Sequence, residues 1–364
     1  MLVAAVEARP LRSLTDARIE LGPGIVSLVG PNGAGKTNLL EALYFALTGR
    51  SFRTSDRREL IPFGEPLARA EATIKGGDAG ERRLLASVSR SEGRRHLLDG
   101  NPADAATLAR CRPPVAVFSP DRLALVKGPP AERRAHLDGF VAARWPSRSG
   151  LRQCFGKALA QRNALLARLA AGRGGPSELD TWDAAFAEAA AELSEARAEA
   201  AAELSGPFAT ATAELGLEGG GALEYAPRAA GTTAELRQGL AERREAEISL
   251  GRSSWGPHLD ELKLSAGGKA LRRYGSQGQQ RAALLALLFA ERDALLAARG
   301  VPPLLLLDDV MSELDRDRRE RLVERLQGAG QTLISAASAE SVPRGALEQT
   351  VQMPLPARRQ VAAA

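Results

Sequence analysis

Eight residues, Gly30 to Thr37, read GPNGAGKT and fit the spacing GxxxxGK[ST]. An apolar run, IVSLVG from Ile25 to Gly30, precedes them, and NLLEALYFAL from Asn38 to Leu47 follows. A strand that enters a Gly-rich turn and leaves as a helix aims successive backbone N–H groups, and the positive end of the helix, at one anionic spot. A triphosphate fits that spot. The backbone of Gly30, Pro31, Asn32, Gly33, Ala34 and Gly35 would form the cradle, Lys36 would bring a mobile cation to the β and γ groups, and the Thr37 hydroxyl would ligate Mg²⁺.

A second acidic centre lies near the other end of the chain. Leu304 to Asp309 read LLLLDD, followed by VMSELD. Four leucines suit a strand buried on both faces of a parallel sheet, and the carboxylates at its C-terminal end would lie where open α/β sheets keep their ligands. Asp308 is placed to hold Mg²⁺ and Asp309 to orient or deprotonate an attacking water, which makes Asp309 the candidate catalytic residue. Taken alone, two acids after a strand also fit a solvated turn or a helix cap.

Between these segments, Tyr274 to Arg281 read YGSQGQQR and open the apolar run Ala282 to Ala298. Ser276 and Gln279 have the spacing of a capping box, which is sufficient reason for them in an ordinary helix start. A hydroxyl and unpaired N–H groups at a helix N-terminus also make a second anion site. That segment resembles the signature motif of ABC-type ATPases, a resemblance that implies Ser276 and Gln279 acting in trans on the nucleotide of a partner subunit. Two ATP molecules would then be sandwiched in a head-to-tail homodimer.

GPNGAGKTNLLEALYFALTGRSFRT, FSPDRLALVKGPPAERRAHLD (Phe118 to Asp138), QRNALL (Gln161 to Leu166), GPHLDEL (Gly256 to Leu262), GSQGQQR and LLLLDDVMSELD together resemble, in order, the motifs of the RecF family of bacterial recombination and gap-repair ATPases. The match runs from about Leu2 to Ser338. The resemblance implies an α/β fold, an ABC-type P-loop ATPase head (Rad50/SMC-like) with an inserted short helical-hairpin domain. It also implies an ATP-dependent DNA-binding protein that dimerises on duplex near single-strand gaps, with RecO and RecR as partners in recombinase loading, replication restart and the SOS response. Asp315, in SELD, resembles the residue that communicates between the two nucleotide sites. ABC-type ATPases usually carry Glu where Asp309 stands, and a carboxylate one methylene shorter implies slow turnover. Arg53, in GRSFRT, is a further candidate for contact with nucleotide or DNA. No Gln-loop glutamine is evident, and His258 has no chemical role in this reading. A transporter nucleotide-binding subunit shares the two phosphate sites, but the long segment between Lys36 and Ser276 disfavours it. A Rad50-like nuclease partner would need a far longer coiled coil.

The elements that must position these residues fall into three segments: residues 1–124 as the first part of the head, 125–249 as a helical insertion, and 250–364 as the returning head. Trp182, Phe186, Ala189, Leu193, Ala196 and Ala200 recur at helical spacing, as do Leu151, Phe155, Ala158, Leu165 and Leu169. AAGRGGPSE, Ala170 to Glu178, supplies the reversal, so the insertion is expected to be a hairpin with arms of about 30 Å for roughly twenty residues each. Charge is segregated along it. Ten Lys and Arg lie between Lys127 and Arg173, and eleven Asp and Glu lie between Glu178 and Glu224 against Arg197 alone. Opposite charge can pair two antiparallel helices, but exposed pairs are worth only about 0–1 kcal/mol each. The basic arm, with Arg148, Arg152 and Arg162, is therefore the candidate DNA-contacting surface.

A chain of 364 residues with 44% hydrophobic content can bury two or more cores, and its net charge of +5 says little by itself. No apolar stretch approaches twenty residues, and charges arrive early in MLVAAVEARPL, so a cytoplasmic protein with no membrane partner is expected. Cys111 and Cys154 lack metal or redox spacing and are expected to be buried thiols; His96, His136 and His258 form no ligand cluster. The tail LPARRQVAAA is expected to fray.

Overall fold

The computed structural model describes residues 1–76, 80–91, 93–328 and 330–353, so the tail 355–364 lies outside the described residues. Two compact units emerge: Met1–Arg122 with Leu295–Ala364, and Leu123–Ala294.

The first unit holds two sheets. One is parallel, in the order β14 (Gln349–Gln352), β3 (Ile25–Val29), β13 (Thr332–Ala336), β12 (Leu304–Leu307), β8 (Val115–Phe118). All four leucines of β12 are buried, the pattern of a strand covered on both faces. The other sheet is antiparallel and runs β2 (Ala17–Glu20), β1 (Leu2–Ala8), β4 (Leu67–Lys75), β5 (Glu81–Ser89), β6 (Gly93–Leu98), β7 (Asn101–Pro102). Here burial alternates, with Ala68, Ala70, Ala72 and Ile74 of β4 and Leu84, Ala86 and Val88 of β5 turned inward. That apolar face packs on α1 (Lys36–Thr48), whose leucines and Phe45 share its core. Helices α2 (Ala105–Arg110) and α10 (Arg316–Leu326) complete the unit, each started by an aspartate cap, Asp104 and Asp315.

The second unit begins with α3 (Ala124–Lys127) and α4 (Pro130–Arg144), then forms the expected hairpin from α5 (Leu151–Ala170) and α6 (Leu179–Glu214). Its apolar seam brings Phe155 and Ala158 against Phe186, Ala187, Ala190 and Leu193. The second arm is longer than expected, 36 residues, and continues through Pro207. The unit is also more than a hairpin. A third helix, α7 (Thr233–Leu250), packs on both arms, and α6 packs on a small sheet of β9 (Gly221–Ala226), β10 (Glu261–Ala266) and β11 (Lys269–Ala270). Short α8 (Leu271–Tyr274) leads into α9 (Gln277–Arg299), along which the chain passes into the first unit. The second division therefore falls at 294/295 instead of 249/250. Its cause is physical: β10 pairs along its whole length with β9, and Arg133 of α4 forms a bidentate pair with Glu261 at 2.7 and 3.0 Å.

Two expectations need correction here. Arg162 is not available to a DNA backbone. It is fully buried, with its Nε 2.8 Å from Asp183 and its Nη1 2.6 Å from Glu247 and 2.7 Å from Ser253. A buried guanidinium persists only when paired, and these groups supply the pairing. Cys154 is exposed, since it points away from the seam that its neighbour Phe155 joins; Cys111 is half-buried.

Candidate nucleotide-binding site

Both halves of the phosphate loop's geometry follow from glycine. Gly33 and Gly35 have φ of 86° and 91°, a region that a side chain disfavours, and Gly35 in that conformation forms the N-cap of α1. The turn closes through Ala34 N–H to the Pro31 carbonyl at 3.1 Å. Pro31 and Asn32 are exposed, and Lys36 folds back so that its Nζ donates to the carbonyls of Gly30 at 2.6 Å and Pro31 at 3.0 Å. The ammonium thus sits nearly buried at the mouth of its own loop, ready to exchange two carbonyls for phosphate oxygens.

The parallel sheet brings the second acidic centre to this loop. Asp308 follows β12, and its Oδ1 accepts from the Thr37 hydroxyl at 2.9 Å and from Ser335, on β13, at 2.7 Å. Burial pushes the Asp308 carboxyl above the usual range, against the pull of the Ser335 and Thr37 hydrogen bonds, while Asp309 pushes it further up and Arg53 down. Asp309 adopts φ 49° and donates its N–H to Ser335 Oγ at 2.9 Å. A buried carboxylate beside a hydroxyl, with a second acid next to it, groups oxygen donors of the kind that can hold a divalent cation. Such a set suits Mg²⁺, which takes one or two carboxylates plus phosphate oxygens and water.

Asn32, Gly33, Gly35, Lys36, Thr37, Asn38, Arg53, Asp308, Asp309 and Ser335 line one cavity of about 280 Å³. Two of these, Asn38 and Ser335, complete a site that the motifs left partial, and Arg53, the candidate in GRSFRT, lines it with them. Arg53 is held there by Asn38 at 3.1 Å and by Glu41 at 3.5 Å. Glu41 itself is fully buried and takes a bidentate pair from Arg12 at 2.9 and 3.0 Å. Ser335 carried a signal that sequence could have used, because it lies near the C-terminal end of β13, a strand adjacent to β12, where open α/β sheets gather ligands.

Other candidates stand elsewhere. Ser276 and Gln279 form the reciprocal capping box at the start of α9, with Ser276 N–H to Gln279 Oε1 at 2.9 Å and Gln279 N–H to Ser276 Oγ at 3.2 Å. Asp315 is outside the cavity lining and caps α10 by accepting from Arg318 N–H at 2.9 Å. Arg148 pairs with Glu199 and lies 4.9 Å over the Trp145 ring. Arg152 is mostly exposed and stands 3.7 Å from Asp138. His258 packs beside Phe155 and Phe186, and its neighbour Asp260 is a buried acceptor for Arg197 at 3.0 Å, Tyr225 at 2.5 Å and Arg228 N–H at 2.7 Å, which accounts for GPHLDEL as a structural motif.

The family model described as RecF/RecN/SMC N-terminal domain matches residues 2–355. The chain is 38% identical over 363 residues to the DNA replication and repair protein RecF of Streptomyces avermitilis, across 94% of this chain and 95% of that one. The chain belongs to the RecF family. Among solved structures, the recombination mediator protein RecF-ATP of the RecFOR pathway superposes with a TM-score of 0.84 at 27% identity, covering 94% of this chain and 93% of that one. An Smc head bound to the C-winged helix domain of ScpA matches with a TM-score of 0.56 at 17% identity and shows the fold alone, over 97% and 94% of the two chains. The RecF assignment fixes the architecture as an ABC-type ATPase head related to SMC heads, and the protein as one of DNA replication and repair.

Proposed function

We propose that this RecF-family protein is an ATP-dependent DNA clamp of gap repair. The observation that carries the reading is the meeting of Lys36 and Thr37 with Asp308 and Asp309 in one cavity, from segments at opposite ends of the chain. ATP is the nucleotide in the RecF-ATP structure, and the same ligand suits this loop. Lys36 releases its two carbonyls and binds the β and γ groups, while Arg53 adds a second cation at the rim. Thr37 and Asp308 would hold Mg²⁺, which would supply neutralisation of the phosphate charge. Asp309 orients the attacking water and accepts its proton. Ser276 and Gln279 of a partner subunit close over the γ-phosphate, with Asp315 at the subunit contact, so ATP joins two copies and its loss parts them. The dimer would act on duplex near single-strand gaps in the cytoplasm, with RecR and RecO, in recombinase loading, replication restart and the SOS response. No described helix is long and apolar enough to cross a membrane.

Sedimentation with and without ATP and a gapped duplex tests this. The native chain should shift to a dimer with ATP, and Lys36→Ala should stay monomeric, because the mobile cation on the phosphates is gone. An ATP-induced dimer of Lys36→Ala would contradict the reading.

A further inference from the structure

Four arginines of the basic hairpin arm spend their charge internally: Arg144 pairs with Glu203, Arg148 with Glu199, Arg162 with Asp183 and Glu247, and Arg168 with Glu178. Among the described residues of the first unit, five arginines without an ion pair come from separate segments. Arg50 follows the C-terminus of α1, Arg57 lies in the next turn, Arg94 is on β6, Arg112 follows α2 and Arg299 ends α9. Sheet register explains part of the grouping. Ala86 and Val88 of β5 turn inward over α1 and stand opposite His96 and Arg94, so those two basic side chains share the inward face at its edge. His96 Nε2 reaches the Ala46 carbonyl at 2.8 Å, and Arg94 Nη1 lies 3.6 Å from the Cβ position of Gly49, beside Arg50.

The turn that begins at Arg57 packs on β5, the neighbour of β6, so Arg57 joins Arg94 and Arg50 at this edge. Burial, then Arg94, then Arg50 hold the Arg57 guanidinium below the usual arginine range, and burial holds Arg112 below it against an upward pull from Tyr44, with Arg299 and then Arg50 adding lesser downward pushes. Among the described residues, no carboxylate lies within ion-pair distance of these five arginines. The end of α1 offers them only about half a negative charge. A group of like charges with so little compensation suits a polyanion, and a single phosphate would neutralise only part of it. Arg50 and Arg94 are exposed and Arg57, Arg112 and Arg299 half-buried, so a large ligand would meet the group first through Arg50 and Arg94.

We propose that the row Arg94, Arg57, Arg50, Arg112 and Arg299 is the track on which a duplex DNA backbone lies. This rests on the DNA-binding reading above and supplies its surface. The contacts are to phosphates, so the track sets affinity and register and carries no base specificity.

The test compares native chain with Arg50→Gln/Arg57→Gln/Arg94→Gln in the presence of ATP, titrating a fluorescent 30-bp duplex at several salt concentrations. Each lost phosphate contact lowers the slope of log affinity against log salt by about 0.9, so the triple variant should lose up to about 2.7. Its ATP affinity should equal that of the native chain, and its melting temperature should hold or rise, since repulsion has been relieved. Arg148→Gln/Arg152→Gln, the control, should keep the native slope. An unchanged slope in the triple variant would overturn the track while leaving the DNA-binding reading intact; a native chain with no salt-dependent duplex binding would overturn both. A triple variant that melts lower and loses ATP affinity in step with DNA affinity would assign the arginines to the end of α1 and also refute the track.

Discussion

Arg162→Ala is the substitution whose consequence the structure fixes most tightly. The guanidinium is completely buried between α5, α6 and the start of the segment after α7, donating to Asp183, Glu247 and Ser253 and lying 5.3 Å over the Phe186 ring. Its removal leaves the two acids in different positions. Asp183 keeps Arg244 at 2.8 Å, whereas Glu247, also fully buried, keeps only Ser254, through its N–H at 2.6 Å and its hydroxyl at 3.0 Å. An uncompensated buried charge costs about 3–5 kcal/mol. With an m-value of about 2 kcal/mol/M, the urea midpoint should fall by about 1.5–2.5 M. All three tryptophans, Trp145, Trp182 and Trp255, belong to the second unit, so intrinsic fluorescence follows that unit alone. Adding Glu247→Gln should recover a large part of the loss, because the charge left behind is then absent. A midpoint shift below about 0.5 M, or no recovery in the double variant, would refute the buried network as the reason for Arg162. Flattening of the DNA salt slope in a variant that folds normally would return Arg162 to the DNA surface.

Two further outcomes follow from the nucleotide site. Asp309→Asn should bind ATP and dimerise but hydrolyse at least tenfold more slowly, which prolongs its residence on DNA; rapid release after a nucleotide chase would contradict its role. The raised carboxyl of Asp308 works in the opposite sense to most acid groups. Its contribution to stability is fully present below the ordinary aspartate range and is lost as pH rises through the raised value. Mg²⁺ needs the ionised form, so Mg²⁺-dependent nucleotide affinity should fall by up to about tenfold per pH unit below that value. Asp308→Asn should abolish this dependence, and a flat profile in the native chain would show that Asp308 does not ligate the ion.

The site was legible where its signals were local. A Gly-rich turn between an apolar run and a helix, and four leucines before two acids, carry their geometry within a few residues, and the parallel sheet joins them because β3 and β12 both flank β13. The hairpin was legible for the same reason, since a period of three and four with a glycine reversal defines both arms. Arg162 shows where reading charge without phase fails. It falls in step with Phe155, Ala158, Leu165 and Leu169, so the helical spacing that located the seam also placed this arginine inside it. The arginine row could not be read at all, because residues 50, 57, 94, 112 and 299 meet only through tertiary structure. The same holds for β9 and β10, whose pairing moved the second boundary.

Inter-subunit crosslinking tests the central claim most directly. Protomers carrying Asn32→Cys are mixed with protomers carrying Ser276→Cys, both in a Cys111→Ser/Cys154→Ser background, and treated with a short thiol crosslinker with and without ATP. A composite site predicts a covalent dimer joining one protomer's phosphate loop to the other's α9, formed with ATP and abolished by Lys36→Ala. Crosslinking at the same yield without ATP, or none with it, would contradict a nucleotide shared between two copies.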